Sequence, residues 1–483
     1  MPFAFPIKAD LQTPVRRMSS TGLADARRGV QFVRVLAAAI AVLAATAALA
    51  PVHGQQIKLV RDAETEALLR SYVLPLVRVA RTGAGATRIF LVNSPRFNAF
   101  VSGGRNIFVF TGAIMQSETP NELIGVLAHE VGHIAGGHIA RQQMAMSQLG
   151  PLAIAGMLMG AGALIATSRS RNVGGSPIGI AGALTGPQEL LRRAMLSYRR
   201  SEEQAADIAA LKYLNATRQS ARGLLKTMER MNRTSLFRSR GVDPYLLSHP
   251  LPAERLSFLQ TQAAQSKYWN NRSSKSLQQR HALVRAKIIG FVTNFQEINR
   301  RYPLHDRSLA ARYARAVGTY RFGRLPDAIA QINGLIRAQK RNPYFHELKG
   351  QALLEAGRAA QAIGPLKRAV ALNSRATPIR IMLGHALLST GKRKNLKQAV
   401  SNLNRATQQE PQNAGAFQFL SMAYDGLGNR PMAQLSAAQA MFLAGRFVEA
   451  RTQATRAKRG LKPKSPAWIK AEDILTYRPP KYR

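Results

Sequence analysis

With 483 residues the chain is too long for one ordinary hydrophobic core, so at least two domains are expected. It has no cysteine, which excludes a disulfide framework and thiol chemistry. Its formal net charge of +44 is extreme, but the arginines are scattered along helical segments without aromatic interleaving, so nucleic acid is not the expected partner.

The first 54 residues read as an address. Arg27, Arg28 and Arg34 precede an apolar run from Val35 to Ala50, followed by the exit Val52-His53-Gly54. This predicts a secretory signal peptide over 1–54 and a periplasmic location, with an uncleaved anchor as the alternative. Without it the chain keeps 63 basic and 23 acidic residues, a net +40. Such a surface suits peripheral contact with an anionic membrane, lipopolysaccharide or acidic proteins.

Ile89–Val92 and Ile107–Phe110 are strand-like, joined through Ser102–Asn106, which predicts a hairpin-like sheet with Asn98-Ala99-Phe100 between them. A free strand edge there would let a peptide add through backbone hydrogen bonds. Thr119, three residues before Glu122, forms an expected capping box, and Pro120 takes the first helical position. Leu123, Ile124, Leu127, Val131 and Ile134 supply an apolar stripe, and His129 and His133 fall on the other side.

His129-Glu130-Val131-Gly132-His133 is an HExxH motif, whose histidines one turn apart can offer two imidazoles to one metal, with Glu130 beside them as the base. A catalytic zinc usually has a third protein ligand. His138 lies five residues after His133, about 140° around a continued helix, and is expected to pack or hydrogen-bond instead. Glu203 and Asp207 share one helix face, with small Ala206 and Ala210 allowing close packing. Spacing alone leaves two readings: a ligand with a supporting carboxylate, or a solvated acidic face. Residues 149–176, apolar and glycine-rich and then polar, are expected to form a lid or membrane-facing loop.

HExxH followed by ExxAD at Glu203–Asp207, with Asn98-Ala99-Phe100 upstream and His249-Pro-Leu-Pro-Ala-Glu-Arg255 downstream, resembles the zinc endopeptidases that include HtpX and the CAAX prenyl protease. The resemblance covers roughly residues 60 to 260. It implies Zn2+, one per chain, on His129, His133 and Glu203, with Asp207 behind a ligand and Glu130 catalytic. It also brings in His249, otherwise a lone loop histidine, either to stabilise an oxyanion or to occupy the fourth metal position. One departure is Arg199-Arg200, where the family usually has Ser-Arg.

Beyond a polar stretch at 260–276, glycines recur at Gly323, Gly357, Gly391 and Gly428, followed in register by Ala328, Ala362, Ala399 and Ala433. A period near 34 residues is the tetratricopeptide signature, a solenoid whose concave face binds peptides or proteins. The expected fold is mainly α: an α+β zincin-like (gluzincin) peptidase domain with a small β-sheet, then an all-α tetratricopeptide solenoid. The expected boundaries are 1–54 signal peptide, 55–265 peptidase, 266–300 linker helix, 301–470 repeats and 471–483 basic tail. The resemblance implies a periplasmic endopeptidase for misfolded, unfolded or stalled proteins, in outer-membrane protein quality control near the barrel assembly machinery. Two alternatives stay open: an adaptor with a silent protease domain, and a membrane-integrated protease of the HtpX kind.

Overall fold

The computed structural model describes residues 58–478 except 84, 143, 145–198, 237–248 and 250–252. The expected signal peptide at 1–54 and the expected lid or membrane-facing loop at 149–176 lie outside the described residues, as does the end of the expected basic tail. Among the described residues no helix is long and apolar enough to cross a membrane.

Strand β1 (Leu59–Val60) leads into α1 (Ala63–Ala80), whose start is fixed by Asp62 accepting from the Thr65 amide at 2.8 Å. Then come β2 (Arg88–Val92), β3 (Ala99–Ser102) and β4 (Asn106–Phe110) in a sheet of order β1-β2-β4-β3. The two expected strands are present, but they are parallel neighbours, with Ile89 beside Ile107. The hairpin is instead β3 with β4, Ala99 opposite Val109. The reason is the run between them: Ala99 and Val101 point into the core in strand alternation, so residues 99–102 form their own strand and take the sheet edge.

After α2 (Thr111–Gln116), helix α3 (Pro120–Gly136) crosses the centre of the peptidase half. Its N-terminus departs from the expected capping box. The Thr119 hydroxyl donates to Glu122 at 3.2 Å, while Glu122 accepts from the Glu118 amide at 3.3 Å. Glu122 is fully buried and also receives Lys226 and Arg230 at 3.2 and 2.9 Å. Those two cations draw the carboxylate away from the Thr119 amide. The stripe Leu123, Ile124, Leu127 and Val131 is buried as expected, but the histidine side is buried too. A helix at residues 199–216, labelled α4, covers it, with α5 (Arg222–Leu236) and α6 (Ala253–Ala264) alongside.

Helix α7 (Lys275–Val292) carries the core onward: its Val284, Ala286 and Ile289 are buried with Leu68 and Leu76 of α1 and with Ala311 and Ala314 of the first solenoid helix. Following α8 (Phe295–Arg301), the solenoid runs in pairs: α9 (Leu309–Phe322) with α10 (Leu325–Ala338), α11 (Pro343–Glu355) with α12 (Ala359–Leu372), α13 (Thr377–Leu388) with α14 (Arg393–Gln409), and α15 (Ala414–Gly426) with α16 (Arg430–Leu443). Helices α17 (Phe447–Gly460) and α18 (Pro466–Thr476) close it. The predicted register holds: Ala328, Ala362, Ala399 and Ala433 are buried between paired helices, and Gly357, Gly391 and Gly428 sit at the turns.

The solenoid touches the peptidase along α1. Arg61 pairs with Glu66 at 2.6 Å and with Glu410 of the repeats at 2.8 Å. Lys287 of α7 is buried among Asp62, Glu64 and Glu347, the last two at 3.6 and 3.7 Å. Tyr313 of α9 donates to Glu64 at 2.8 Å.

Candidate metal centre

Side chains from α3, α4 and the segment before α6 converge at one buried point. The approach of α4 depends on Gly132 inside the HExxH motif: a Cβ there would lie 2.7 Å from the Ala206 carbonyl oxygen. The closeness expected from small Ala206 is therefore present, and it comes from both helices. His129 Nε2 is 3.0 Å from His133 Nε2 and 3.2 Å from Glu203 Oε2, and His133 Nε2 is 3.3 Å from Glu203 Oε1. His249 Nδ1 is 3.3 Å from His129 Nε2 and 3.0 Å from Glu203 Oε1. Donor atoms of all four residues lie within 4.8 Å of one another.

These separations fit a shared cation. Two donors on one tetrahedral ion at bond lengths of about 2.0–2.1 Å are roughly 3.3 Å apart, close to the 3.0–3.3 Å among His129, His133 and Glu203. The cluster of three imidazoles and a carboxylate can hold a metal ion, and its chemistry suits a borderline-soft one.

The donors are held from behind. His129 Nδ1 donates to Asp207 at 2.8 Å, which fixes the tautomer and turns Nε2 toward the cluster. Asp207 is in turn gripped by Arg255, with Nη2 at 3.0 Å and a shorter Nε contact, and Arg255 Nη1 also reaches Glu203 at 2.9 Å. Arg255 stands at the end of the His249–Arg255 motif, and the sequence alone assigns it no task. Only its place at the end of that motif could have pointed to it. His138 is outside the donor cluster, as expected, but its position was not foreseen. Gly137 ends α3 with φ of 65°, and the chain turns so that His138 Nδ1 meets His133 Nδ1 at 2.9 Å. A straight helix extrapolation cannot anticipate that break.

Electrostatics show a demand for positive charge at this point. Burial disfavours the His129 imidazolium, yet hydrogen bonds and charge from Asp207 and Glu203 outweigh it and bring the pKa up to about 10. Burial works against the charged form of Glu203 as well, but the surrounding His249, His129 and His133 rings hold its carboxyl far below the usual range. Burial pushes His133 down to about 3, keeping it neutral and able to donate a lone pair. Glu130 is fully buried, and among the described residues neither carboxylate oxygen has a hydrogen-bond partner. Burial raises its pKa, and His249 Nε2 stands 3.4 Å from Oε1. A buried carboxyl without a hydrogen-bond partner among the described residues, beside the donor cluster, is placed to take up and release a proton.

Residues 62–263 match the model of Peptidase family M48. The β-barrel assembly-enhancing protease of Escherichia coli (strain K12) is 26% identical over 400 residues, covering 81% of this chain and 78% of that protein. Its counterpart in Yersinia pestis is 25% identical over 395 residues, 79% and 78% of the two chains. Among solved structures YrrB, a TPR protein, is 22% identical over 36% of this chain and 91% of its own, with a TM-score of 0.31. The HExxH helix, the His/Glu cluster and the family match over residues 62–263 together make this chain a metalloprotease.

Proposed function

We propose that the chain is a periplasmic zinc endopeptidase that cleaves misfolded or unassembled proteins during outer-membrane protein assembly. The observation that carries this reading is the convergence of His129, His133 and Glu203 beside the buried carboxyl of Glu130. The three donors are read as holding one zinc ion, with Asp207 fixing His129. Bound there, zinc supplies Lewis acidity toward water and the scissile carbonyl. Glu130 takes the proton from the attacking water and returns it to the leaving amine.

His249 is read as a fourth, removable donor occupying the position that substrate needs, because its Nδ1 lies as near to His129 and Glu203 as they lie to each other. Replacing it should raise steady-state cleavage. A large loss in His249→Ala would instead assign it to oxyanion stabilisation, and no change would remove it from the mechanism. Substrate is proposed to add as a strand to β3, which lies at the sheet edge and packs on α3. Asn98, buried just before β3 with its Oδ1 unpartnered among the described residues, can accept a peptide N–H there.

The proposed division is 55–265 peptidase, 266–300 connecting helix and 301–470 repeats, with a cleaved signal at 1–54. The repeats select or deliver unfolded or stalled proteins. A role beside the outer-membrane barrel assembly machinery is suggested by the names of the relatives. Chelator-treated full chain should lose cleavage of an unfolded protein such as casein and regain it on addition of zinc. Cleavage indifferent to chelator would overturn the proposal.

A further inference from the structure

Residues 356–409, which span α12, α13 and α14, contain ten lysines and arginines and no aspartate or glutamate. Arg380 is buried and bonded to Asn402 and to the Ser374 carbonyl, while the other nine are exposed. Elsewhere near and in the solenoid, exposed cations meet acids: Arg324 with Asp327 at 2.8 Å, Arg446 with Glu449 at 3.0 Å, Arg300 with Glu297 at 2.7 Å. None of the nine has an ion-pair partner among the described residues.

The helical register turns these charges away from the core on both α12 and α14. Helix α12 buries Ala362, Leu366 and Ala369, which leaves Lys367 and Arg368 on its outer face. Helix α14 buries Leu396, Ala399, Leu403 and Ala406, and at intervals of three and four residues it presents Lys394, Lys397, Ser401 and Arg405 outward. Among the described residues nothing covers these cations, since Lys367, Arg368, Lys394, Lys397 and Arg405 are all exposed, while the solenoid meets the N-terminal end of α1 through Tyr313, Ala369, Ile379 and Glu410.

Like charges at this density, with no acid between them in sequence, repel one another at a cost to folding that a counter-surface would relieve. The chemistry of the face indicates which surface. Between the cations lie Gln361, Gly364, Ser401 and Gln408, without aromatic or large apolar side chains. A protein interface core needs such anchors, and single-stranded nucleic acid needs rings to stack on. Long cationic side chains on a smooth outer face need only a plane of negative charge. We propose that the outer faces of α12 and α14 dock on a bilayer bearing anionic phospholipid headgroups. This goes beyond the proposed cleavage chemistry and does not depend on it.

Flotation of the full chain with vesicles tests the proposal. The chain should float with phosphatidylcholine mixed with phosphatidylglycerol, stay behind with phosphatidylcholine alone, and be released by high salt. Each basic residue near an anionic surface is worth roughly fivefold in partition. The triple reversal Lys394→Glu, Lys397→Glu, Arg405→Glu should therefore lower binding by at least roughly 100-fold while casein cleavage is unchanged. Reversal of Lys212, Lys267 and Arg272, exposed on the peptidase half, should leave flotation nearly intact. Glu130→Gln should float like the parent, which separates docking from catalysis. The proposal is overturned if the chain does not float with anionic vesicles, or if the two triple reversals act alike. It is also overturned if reversal of the α14 residues abolishes capture of an oligonucleotide or an acidic protein but spares flotation.

Discussion

Arg255 ties the proposed centre together: it reaches Asp207, which orients His129, and it reaches Glu203 directly. With Glu130 ionised, the buried site carries three carboxylates and one guanidinium, and a divalent cation would bring it to neutrality. Arg255→Ala should lower zinc affinity about 10–100-fold, measured by competition with a chromophoric chelator. Unchanged affinity would make Arg255 a packing residue only. Glu130→Gln should keep zinc and lose at least about 100-fold in proteolysis, with metal content and casein cleavage read on one preparation. The histidine pair was legible because covalent geometry puts residues four apart on one helix face. Glu203 was legible by spacing only as one of two readings, and its choice came from resemblance. The task of Arg255 was not legible, since it acts across the fold, and His138 was legible as a non-ligand but not in its position, which a turn at Gly137 sets.

The site exists because α3 and α4 lie almost backbone to backbone, and Gly132 is the contact that permits it. Gly132→Ala should push the helices apart, costing about 1–3 kcal/mol and weakening zinc binding at the same time. Thermal melts of the metal-free and zinc-loaded chain check this: the stabilisation by zinc should shrink along with the melting temperature. A variant that melts and binds like the parent would contradict it. Both central strands were legible from their apolar runs, yet their pairing was not. Whether two strands run parallel depends on what lies between them, and residues 99–102 form a strand of their own. The start of α3 was legible from Pro120, whereas its capping bonds were redirected by Lys226 and Arg230, which are distant in sequence.

Peptidase and solenoid share a buried polar hub that no motif announces, because Asp62, Glu64, Lys287, Tyr313 and Glu347 come from elements far apart in the chain. The repeats were legible because their period is written several times over, while their junction is written once. In the hub, burial works against the charge of Asp62, but Lys287 holds it ionised. Burial outweighs Lys287 at the other two acids, raising Glu64 to about 7 and Glu347 to about 8. The native state thus keeps protons that the unfolded chain, with an ordinary value of 4.5, releases. Stability from these groups is full below that value and is lost as pH rises through 7 to 8, by several kcal/mol. Glu347→Gln should flatten the fall in melting temperature between about pH 5 and pH 9. A slope identical to the parent's would show that Glu347 does not hold a proton in the native state.

The central claim is that His129, His133 and Glu203 hold one catalytic divalent cation, and calorimetric titration of zinc into chelator-stripped full-length protein tests it most directly. One equivalent should bind tightly to the parent chain, and that binding should be lost in Glu203→Ala. A parent that binds no zinc, or a Glu203→Ala chain that binds it with undiminished affinity, would contradict the account.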